Sequence, residues 1–184
     1  LLDICGESAI QRCLNSCNQL PFSQKTILAT STHEEDEVLK AEAAKCNAEF
    51  WSGDENDVIK RYLGVCDYFE LDVIYRVTGD CPLISEEIAE LLLESHFASG
   101  ADFTSAENAP VGAAVEIYNV EALKTVVKLM GGAKHSEYMT WYLKNNGHIF
   151  KLNAVQLPAE LSQDIRLTLD YEDDLRLFRE IFER

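Results

Sequence analysis

The sequence predicts an α/β fold with three layers, in which a mostly parallel sheet carries helices on both faces. Short apolar segments alternate with amphipathic segments of about a dozen residues, which is the pattern of strands joined by crossover helices. Several apolar segments end on a polar or turn residue, and a residue that favours a helix N-terminus follows. With 184 residues, 47% of them hydrophobic, the chain is expected to form one domain over 1–184.

The first half of the chain predicts one helix and then three strand–helix units. Each strand is a short apolar run, and the helices after them carry apolar residues at helical spacing. Thr32, Asp54 and Ser85 stand where helix N-caps are expected. After a helix at 8–18, the strands cover 25–31, 48–52 and 72–78, and the helices that follow them cover 34–46, the segment from Val58 to Leu63, and 86–99.

The second half of the chain breaks this regular alternation. Pro110 and Gly112 predict a loop, and the Gly131-Gly132 pair and Gly147 predict helix ends. We interpret 106–147 as an insertion that builds one wall of a pocket. The strands are predicted at 101–105, 113–118, 148–155 and 165–169, and the helices at 120–129, 134–145 and 172–183.

The net charge of the chain indicates which classes of partner it can bind. Sixteen Lys and Arg against 32 Asp and Glu give a net charge of −16 at pH 7, which repels nucleic acid and an anionic membrane surface alike. We therefore expect neither as a partner. A small anionic ligand such as a nucleotide can still bind, because Mg²⁺ and a few local cations reverse the field inside a cleft.

The six cysteines form no C-x-x-C pair, which predicts reduced thiols in a cytoplasmic protein.

The segment RVTGDCPL at 76–83 carries the strongest functional signal. Its strand ends on a Gly-Asp pair, which places the carboxylate of Asp80 at the carboxyl end of a strand, where open α/β sheets bind ligands. Asp170 repeats this position between the strand at 165–169 and the last helix. If the two strands are neighbours, both carboxylates can hold one divalent cation. The alternative is that each Asp caps the helix that follows it.

Further segments join this one in a recognisable order. They are ATS at 29–31, GDENDVIKRY at 53–62, RVTGDCPL at 76–83, PVG at 110–112 with Glu116, EYMT at 137–140, and RLTLD at 166–170 with Asp173, Asp174 and Leu175. Together they resemble the cytidylyltransferase family. The nearest subgroup is similar to the spore-coat-polysaccharide type, whose relatives are the acylneuraminate and 3-deoxy-manno-octulosonate cytidylyltransferases.

This resemblance implies a nucleotide-diphospho-sugar transferase fold of Rossmann-like type and an Mg²⁺-dependent reaction. A hydroxyl of a sugar or sugar acid would attack the α-phosphate of CTP and pyrophosphate would leave, in surface polysaccharide biosynthesis. The resemblance also allows a homodimer, and it places 106–147 on the sugar side. By this analogy Asp80 and Asp170 hold the metal, while the nucleotide side is lined by Thr30, Ser52, Gly53, Thr78 and Gly79 and the sugar is faced by Gly112, Glu116, Glu137 and Thr140. Arg76 points from a buried strand, where an unpaired guanidinium is costly, so we expect it to pair with an acidic partner or a ligand at the catalytic centre.

The chain also departs from the family pattern. Members begin with a strand that leads into an Arg-, Ser-, Gly- and Lys-rich loop around the triphosphate, and this chain starts after that point, so we expect an N-terminally incomplete domain. Tyr138 stands in place of a usual His, and Val111 in place of a usual acidic residue. The alternative function is therefore a catalytically incomplete domain that binds a sugar nucleotide or a partner protein. A glycosyltransferase would need a D-x-D-type motif in 106–147, where none occurs.

Overall fold

A small hairpin, a two-stranded sheet, a four-stranded sheet and seven α-helices make up residues 1–130 and 139–183, the part of the chain that the computed structural model describes. The strands are β1 (Asp3–Ile4), β2 (Glu7–Ser8), β3 (Ile27–Ser31), β4 (Glu49–Gly53), β5 (Val73–Arg76), β6 (Phe103–Ala106), β7 (Glu116–Asn119) and β8 (Leu152–Val155). The helices are α1 (Ala9–Asn18), α2 (Val38–Lys45), α3 (Val58–Phe69), α4 (Glu86–Ser99), α5 (Val120–Met130), α6 (Met139–Asn145) and α7 (Glu172–Phe182), with a short 3₁₀ helix at Glu34–Glu37.

The strand directions confirm the mostly parallel α/β arrangement. The larger sheet has the order β5-β7-β6-β8, in which β6 pairs parallel with β8, and β7 runs antiparallel to both β5 and β6. Three of its four strands therefore point the same way. β3 and β4 pair in parallel as a separate two-stranded sheet. The carboxyl ends of β5, β6 and β8 and the first residue of β7 consequently meet at one edge, which is where a ligand site is expected.

The core lies on both faces of the larger sheet. On one face α4 packs Ile88 and Leu92 against Ile117, and all three side chains are almost fully buried. On the other face α5 and α6 pack Leu123 and Leu143 with the aromatic residues of β6 and β7. Burying each such side chain contributes about 1.5–3 kcal/mol relative to exposing it. This gives the three layers that the sequence predicts.

Two of the three predicted helix caps are wrong, while Ser85 is confirmed because its hydroxyl accepts a hydrogen bond from the backbone N–H of Ile88. Thr32 does not cap a helix: the 3₁₀ turn begins after His33, and the α-helical part begins only at Val38. Asp54 instead closes a turn, accepting from the next backbone N–H groups, and Asp57 caps α3 by accepting from the N–H of Lys60 at 2.9 Å. An Asp-x-x-Asp sequence offers two caps, and the turn at the first one moves the helix start to the second.

Two predicted strands also differ from the structure. The segment 113–118 becomes a strand only from Glu116, because Ala113 first donates its N–H to Pro110 and accepts from Ser85. The segment 165–169 forms no ladder: it meets Val111 in a single parallel bridge and then bonds the loop after β5. The strand predicted at 148–155 begins at Leu152, since the chain still turns at Ile149. The first part of the helix predicted at 134–145 lies outside the described residues.

Two further observations concern the class of protein. None of the helices in residues 1–130 and 139–183 has the length and apolar character needed to cross a lipid bilayer. All six cysteines are free thiols, and four of them, Cys13, Cys46, Cys66 and Cys81, are buried. Burial raises the pKa of Cys66 to about 11, so this thiol stays protonated near neutral pH.

Candidate functional site

The loop after β5 places Asp80 at the ligand-binding edge of the larger sheet. A turn closes this loop, with the N–H of Cys81 donating to the carbonyl of Thr78 at 3.1 Å. Burial acts most strongly on Asp80 and would raise its pKa, yet hydrogen bonds from Thr78 and Thr168 outweigh burial and hold the pKa below its ordinary value. Asp80 is therefore an ionised carboxylate in a partly buried position at neutral pH.

The extended segment Arg166–Asp170 brings the second carboxylate to the first. The N–H of Leu169 donates to the carbonyl of Asp80 at 2.8 Å, which fixes the segment beside the loop. The hydroxyl of Thr168, almost fully buried, donates to Asp80 Oδ2 at 2.9 Å and has Asp170 Oδ2 at 3.3 Å. Two carboxylates separated by ninety positions in the sequence thus share one hydroxyl.

Neither carboxylate caps a helix, so the alternative interpretation of these residues is wrong. The N-cap of α4 is Ser85 and that of α7 is Tyr171, and Asp174 accepts from the N–H groups of Asp170 and Tyr171 at 2.9 Å each. Asp170 is half-exposed and is ion-paired with Arg166. Neither carboxylate is therefore committed to closing the end of a helix.

A second polar cluster lies on β5, β7 and α6. Arg76 donates from Nη1 to Glu116 Oε2 at 2.8 Å, and the same carboxylate accepts hydrogen bonds from Tyr118 at 2.7 Å and Thr140 at 2.9 Å. The registers explain this, because Arg76 is the cross-strand partner of Glu116. Burial raises the pKa of Tyr118, which keeps its phenol protonated as a donor. The Nε of Arg76 is buried and has no partner among the described residues.

Gly112 joins the two clusters through a close backbone approach. Its φ of +87° favours glycine, and a Cβ there would lie 3.0 Å from Thr168 N and closer still to the carbonyl oxygen of Leu167. Val111 bonds the same segment on both sides, donating to Ile165 at 3.1 Å and accepting from Leu167 at 2.6 Å. The result is a cavity of about 290 Å³ whose lining includes Arg76, Thr78, Asp80, Gly112, Glu116 and Thr168.

Three residues predicted on the nucleotide side lie elsewhere. Thr30, Ser52 and Gly53 are at the ends of β3 and β4, in the two-stranded sheet, and none of them lines this cavity. The hydroxyl of Thr30 donates to Asp36 at 2.7 Å. A Cβ at Gly53 would meet Trp51 Nε1 and Arg61 Cγ at 3.0 Å, so a larger residue there would have to shift these side chains slightly.

Of the remaining predicted site residues, some lie at the cavity and others do not. Thr78 lines the cavity, whereas Gly79 does not, and an added Cβ at Gly79 would meet Ile10 at 3.2 Å. Thr140 reaches the cavity through its hydrogen bond to Glu116. Glu137 lies outside the described residues.

Sequence reasoning missed three residues that the structure places at the site. Thr168 joins the two carboxylates, Arg166 pairs with Asp170, and Tyr118 supports Glu116. Arg166, Thr168 and Asp170 alternate in an extended segment, which places all three on one side of it. This spacing could have identified Arg166 and Thr168 as neighbours of Asp170. Tyr118 carried no such signal, since a buried aromatic residue in a strand is ordinary core.

The carboxylates of Asp80 and Asp170 are suited to hold a hard divalent cation that also binds a ligand. No group of three or more His, Cys, Asp or Glu side chains in the described ranges is arranged to hold a metal ion. Mg²⁺ is usually bound by one or two carboxylates and completes its shell with water and substrate phosphates. The pair of Asp80 and Asp170 matches that requirement.

Comparison with known proteins decides the family. A family model described as "Cytidylyltransferase" matches residues 1–180. The chain belongs to the cytidylyltransferase family. This confirms the resemblance in the sequence, and membership of the family supports transfer of CMP from CTP.

Individual relatives of this cytidylyltransferase agree with the assignment. The spore coat polysaccharide biosynthesis protein SpsF of Bacillus subtilis is 27% identical over 172 residues, which cover 90% of this chain and 72% of that protein. The structure of a cytidylyltransferase from Leptospira borgpetersenii has a TM-score of 0.87 at 24% identity, covering 99% of this chain and 78% of the other. The structure of CMP:2-keto-3-deoxy-manno-octonic acid synthetase complexed with CTP has a TM-score of 0.75 at 14% identity, covering 100% and 90%. These two structures establish the shared fold.

Proposed function

We propose that this cytidylyltransferase transfers CMP from CTP to a hydroxyl of a sugar or sugar acid, with release of pyrophosphate, in surface polysaccharide biosynthesis. Family membership supports the nucleotide and the transferred group. The relative SpsF is named for spore coat polysaccharide biosynthesis, and the synthetase of similar fold is named for a CMP-linked sugar acid. The acceptor class and the pathway are proposed on those names.

The observation that carries this proposal is the hydroxyl of Thr168, a residue that lines the cavity, which bonds Asp80 and faces Asp170. We assign the two carboxylates to a divalent cation, Mg²⁺ in the cell. Such an ion, when bound, neutralises charge on phosphate oxygens and orients them for in-line displacement. Asp80 is suited to this role because its hydrogen bonds keep it ionised.

The cluster around Glu116 would hold the acceptor. Arg76 and Glu116 are each about one-fifth exposed and fix each other at 2.8 Å, so both present polar atoms to the cavity with little freedom of movement. Gly112 lines the same cavity and would border the acceptor. In the transfer, the acceptor oxygen bonds to the α-phosphorus, its proton passes to solvent, and the bond from that phosphorus to the pyrophosphate oxygen breaks. Thr78 and Gly79, with Thr30, Ser52 and Gly53 on the neighbouring sheet, would border the nucleotide, and Glu137 and Thr140 the sugar.

A nucleotide screen by thermal shift tests the binding part of the proposal. CTP with Mg²⁺ should stabilise the chain more than ATP, GTP or UTP, and CTP without Mg²⁺ should do so less. A ligand at about 100 times its Kd stabilises the native state by about 2.7 kcal/mol. Equal shifts for all four nucleotides would remove CTP from the proposal.

Pyrophosphate release then tests the chemistry. The chain is incubated with CTP, Mg²⁺ and a panel of neutral sugars and sugar acids, and phosphate is counted after pyrophosphatase treatment. At least one acceptor should give turnover above the rate without acceptor. Selective CTP binding without turnover on any acceptor would favour the alternative, a binding domain.

A further inference from the structure

Arg166 forms ion pairs with two carboxylates at the edge of the candidate site. Its Nη2 contacts Asp170 Oδ2, and its Nε lies 3.5 Å from Asp174 Oδ1. The guanidinium also lies 5.6 Å from the centre of the Tyr171 ring. The oxygen of Asp170 that Arg166 contacts is the same one that faces the hydroxyl of Thr168. A positive charge therefore already occupies the carboxylate that the proposed cation would use.

The two carboxylates that pair with Arg166 differ in their exposure and in the other hydrogen bonds that they accept. Asp174 accepts two backbone hydrogen bonds at the start of α7, and its side chain is only 14% exposed. Asp170 has a side chain 45% exposed and bonds only Thr168 and Arg166 among the described residues. Exposed ion pairs contribute little to stability, so the contact with Asp170 is the one that can be exchanged.

The backbone of Arg166 stays in place during such an exchange. Residues on either side of it bond Val111, and Thr168 is anchored in the cavity floor. The Arg166 side chain itself is 44% exposed. Its guanidinium can leave Asp170 while the contact with Asp174 and the ring of Tyr171 keeps it nearby.

We propose that Arg166 is a displaceable counter-ion, a positioning residue that neutralises Asp170 until a divalent cation takes its place. This inference rests on the proposed function, because it assumes the cation site at Asp80 and Asp170. A cation without nucleotide must displace Arg166 and then remain close to its charge, which weakens binding. Phosphate oxygens of a bound nucleotide add ligands and negative charge, so the cation competes better when the nucleotide is present. Arg166 thereby couples cation binding to nucleotide binding.

Titration with Mn²⁺ tests this coupling without relying on turnover. Free Mn²⁺ is measured by electron paramagnetic resonance in the 184-residue chain and in Arg166→Gln, Arg166→Lys and Arg176→Gln. Arg176 is the matched control, since it pairs with Asp173 on exposed α7 and lies outside the site. Melting curves of each variant show that it is folded.

Arg166→Gln should bind Mn²⁺ about fivefold more tightly without nucleotide, an effect of the size expected for one exposed ion pair. The gain should shrink when CTP is present. Arg166→Lys should remain near the parent chain because it keeps the charge, and Arg176→Gln should be unchanged.

Equal or weaker Mn²⁺ binding by Arg166→Gln would overturn the inference, and weaker binding would mean that Arg166 only holds the segment in shape. Asp80→Asn separates this failure from failure of the proposed function. If no protein binds Mn²⁺, or if Asp80→Asn binds it as well as the parent, the cation site itself is wrong. If Asp80→Asn abolishes binding while Arg166→Gln leaves it unchanged, only the role of Arg166 is wrong.

Discussion

A threonine hydroxyl donates to an aspartate beside the four-stranded sheet and again at the β3–β4 sheet, and the two contacts differ in how far apart their residues lie in the sequence. At the four-stranded sheet Thr168 bonds Asp80 across 88 positions of sequence at 2.9 Å. At the two-stranded sheet Thr30 bonds Asp36 across six positions at 2.7 Å. In both cases hydrogen bonds hold the pKa of the carboxyl below its ordinary value. The local chemistry is the same in the two regions.

The surroundings of the two contacts show which aspartate stabilises a turn and which one can bind a ligand. Asp36 Oδ2 also accepts hydrogen bonds from the hydroxyl and the N–H of Ser31, and these bonds close the turn after β3. Asp80 instead shares the Thr168 hydroxyl with a second carboxylate and lines a cavity. A carboxylate satisfied by its own turn shapes the chain, whereas one held from a distant segment can be kept ionised for a ligand.

The largest expected difference between the regions is in catalysis. Asp80→Asn should lower the rate of pyrophosphate release at least ~100-fold, the effect of losing one group that stabilises transition-state charge. Asp36→Asn should lower the rate far less, because Asp36 acts on the proposed nucleotide border only through the hydroxyls of Thr30 and Ser31. Steady-state rates at saturating CTP measure both. Unchanged turnover in Asp80→Asn would remove that carboxylate from the mechanism.

The next effect concerns the backbone approach that closes the cavity. Gly112→Ala should lower the free energy of unfolding by about 1–2 kcal/mol for its positive φ and by about 1–3 kcal/mol more for the clash with the Leu167 carbonyl. Gly6→Ala is the control, since Gly6 has a φ of +85° but open space around its Cβ position. Urea denaturation measures both. Equal losses would show that the segment at Leu167 moves aside at little cost.

A smaller effect is expected when the two hydroxyls are removed. Thr168→Val should weaken Mn²⁺ binding about tenfold, as Asp80 and Asp170 lose the group that holds them together, a loss typical of residues that orient metal ligands. Thr30→Val should leave Mn²⁺ affinity unchanged. Calorimetric titration of both variants compares the regions directly. A similar change in both would mean that Thr168 has no special role.

The smallest expected effect is on stability in acid. The pKa of Asp80 in the folded chain lies below its ordinary value of 3.8, so the stability that it contributes is present above that value and is lost as the pH falls through the folded pKa. Thr168→Val raises the folded pKa toward the ordinary value, and stability between pH 5 and 2 should then fall less steeply than in the parent chain. Denaturation midpoints across that range measure the slope. A steeper fall in the variant would contradict this assignment.

Several features of the site could be predicted because they depend on near neighbours. Ser85 caps its helix as its sequence position indicates, and Asp80 lies in the loop after β5, at the edge of the sheet where its sequence position predicts it. The caps at Thr32 and Asp54 failed because several polar residues competed within four positions, and small differences in turn geometry decided between them. The segment at 165–169 has the apolar character of a strand, but its partners are loops, which periodicity does not report.

The sequence alone determined the alternation of strands and helices, the family and the two carboxylates, because periodicity, turn residues and ordered motifs all act over short stretches of chain. Only the tertiary structure decided that Thr168 stands between those carboxylates, that Arg166 neutralises one of them, and that Gly112 must admit the backbone of Leu167. Two of these contacts, Thr168 with Asp80 and Gly112 with Leu167, join segments tens of residues apart, and the ion pair of Arg166 with Asp170 depends on the extended path that those contacts give the segment.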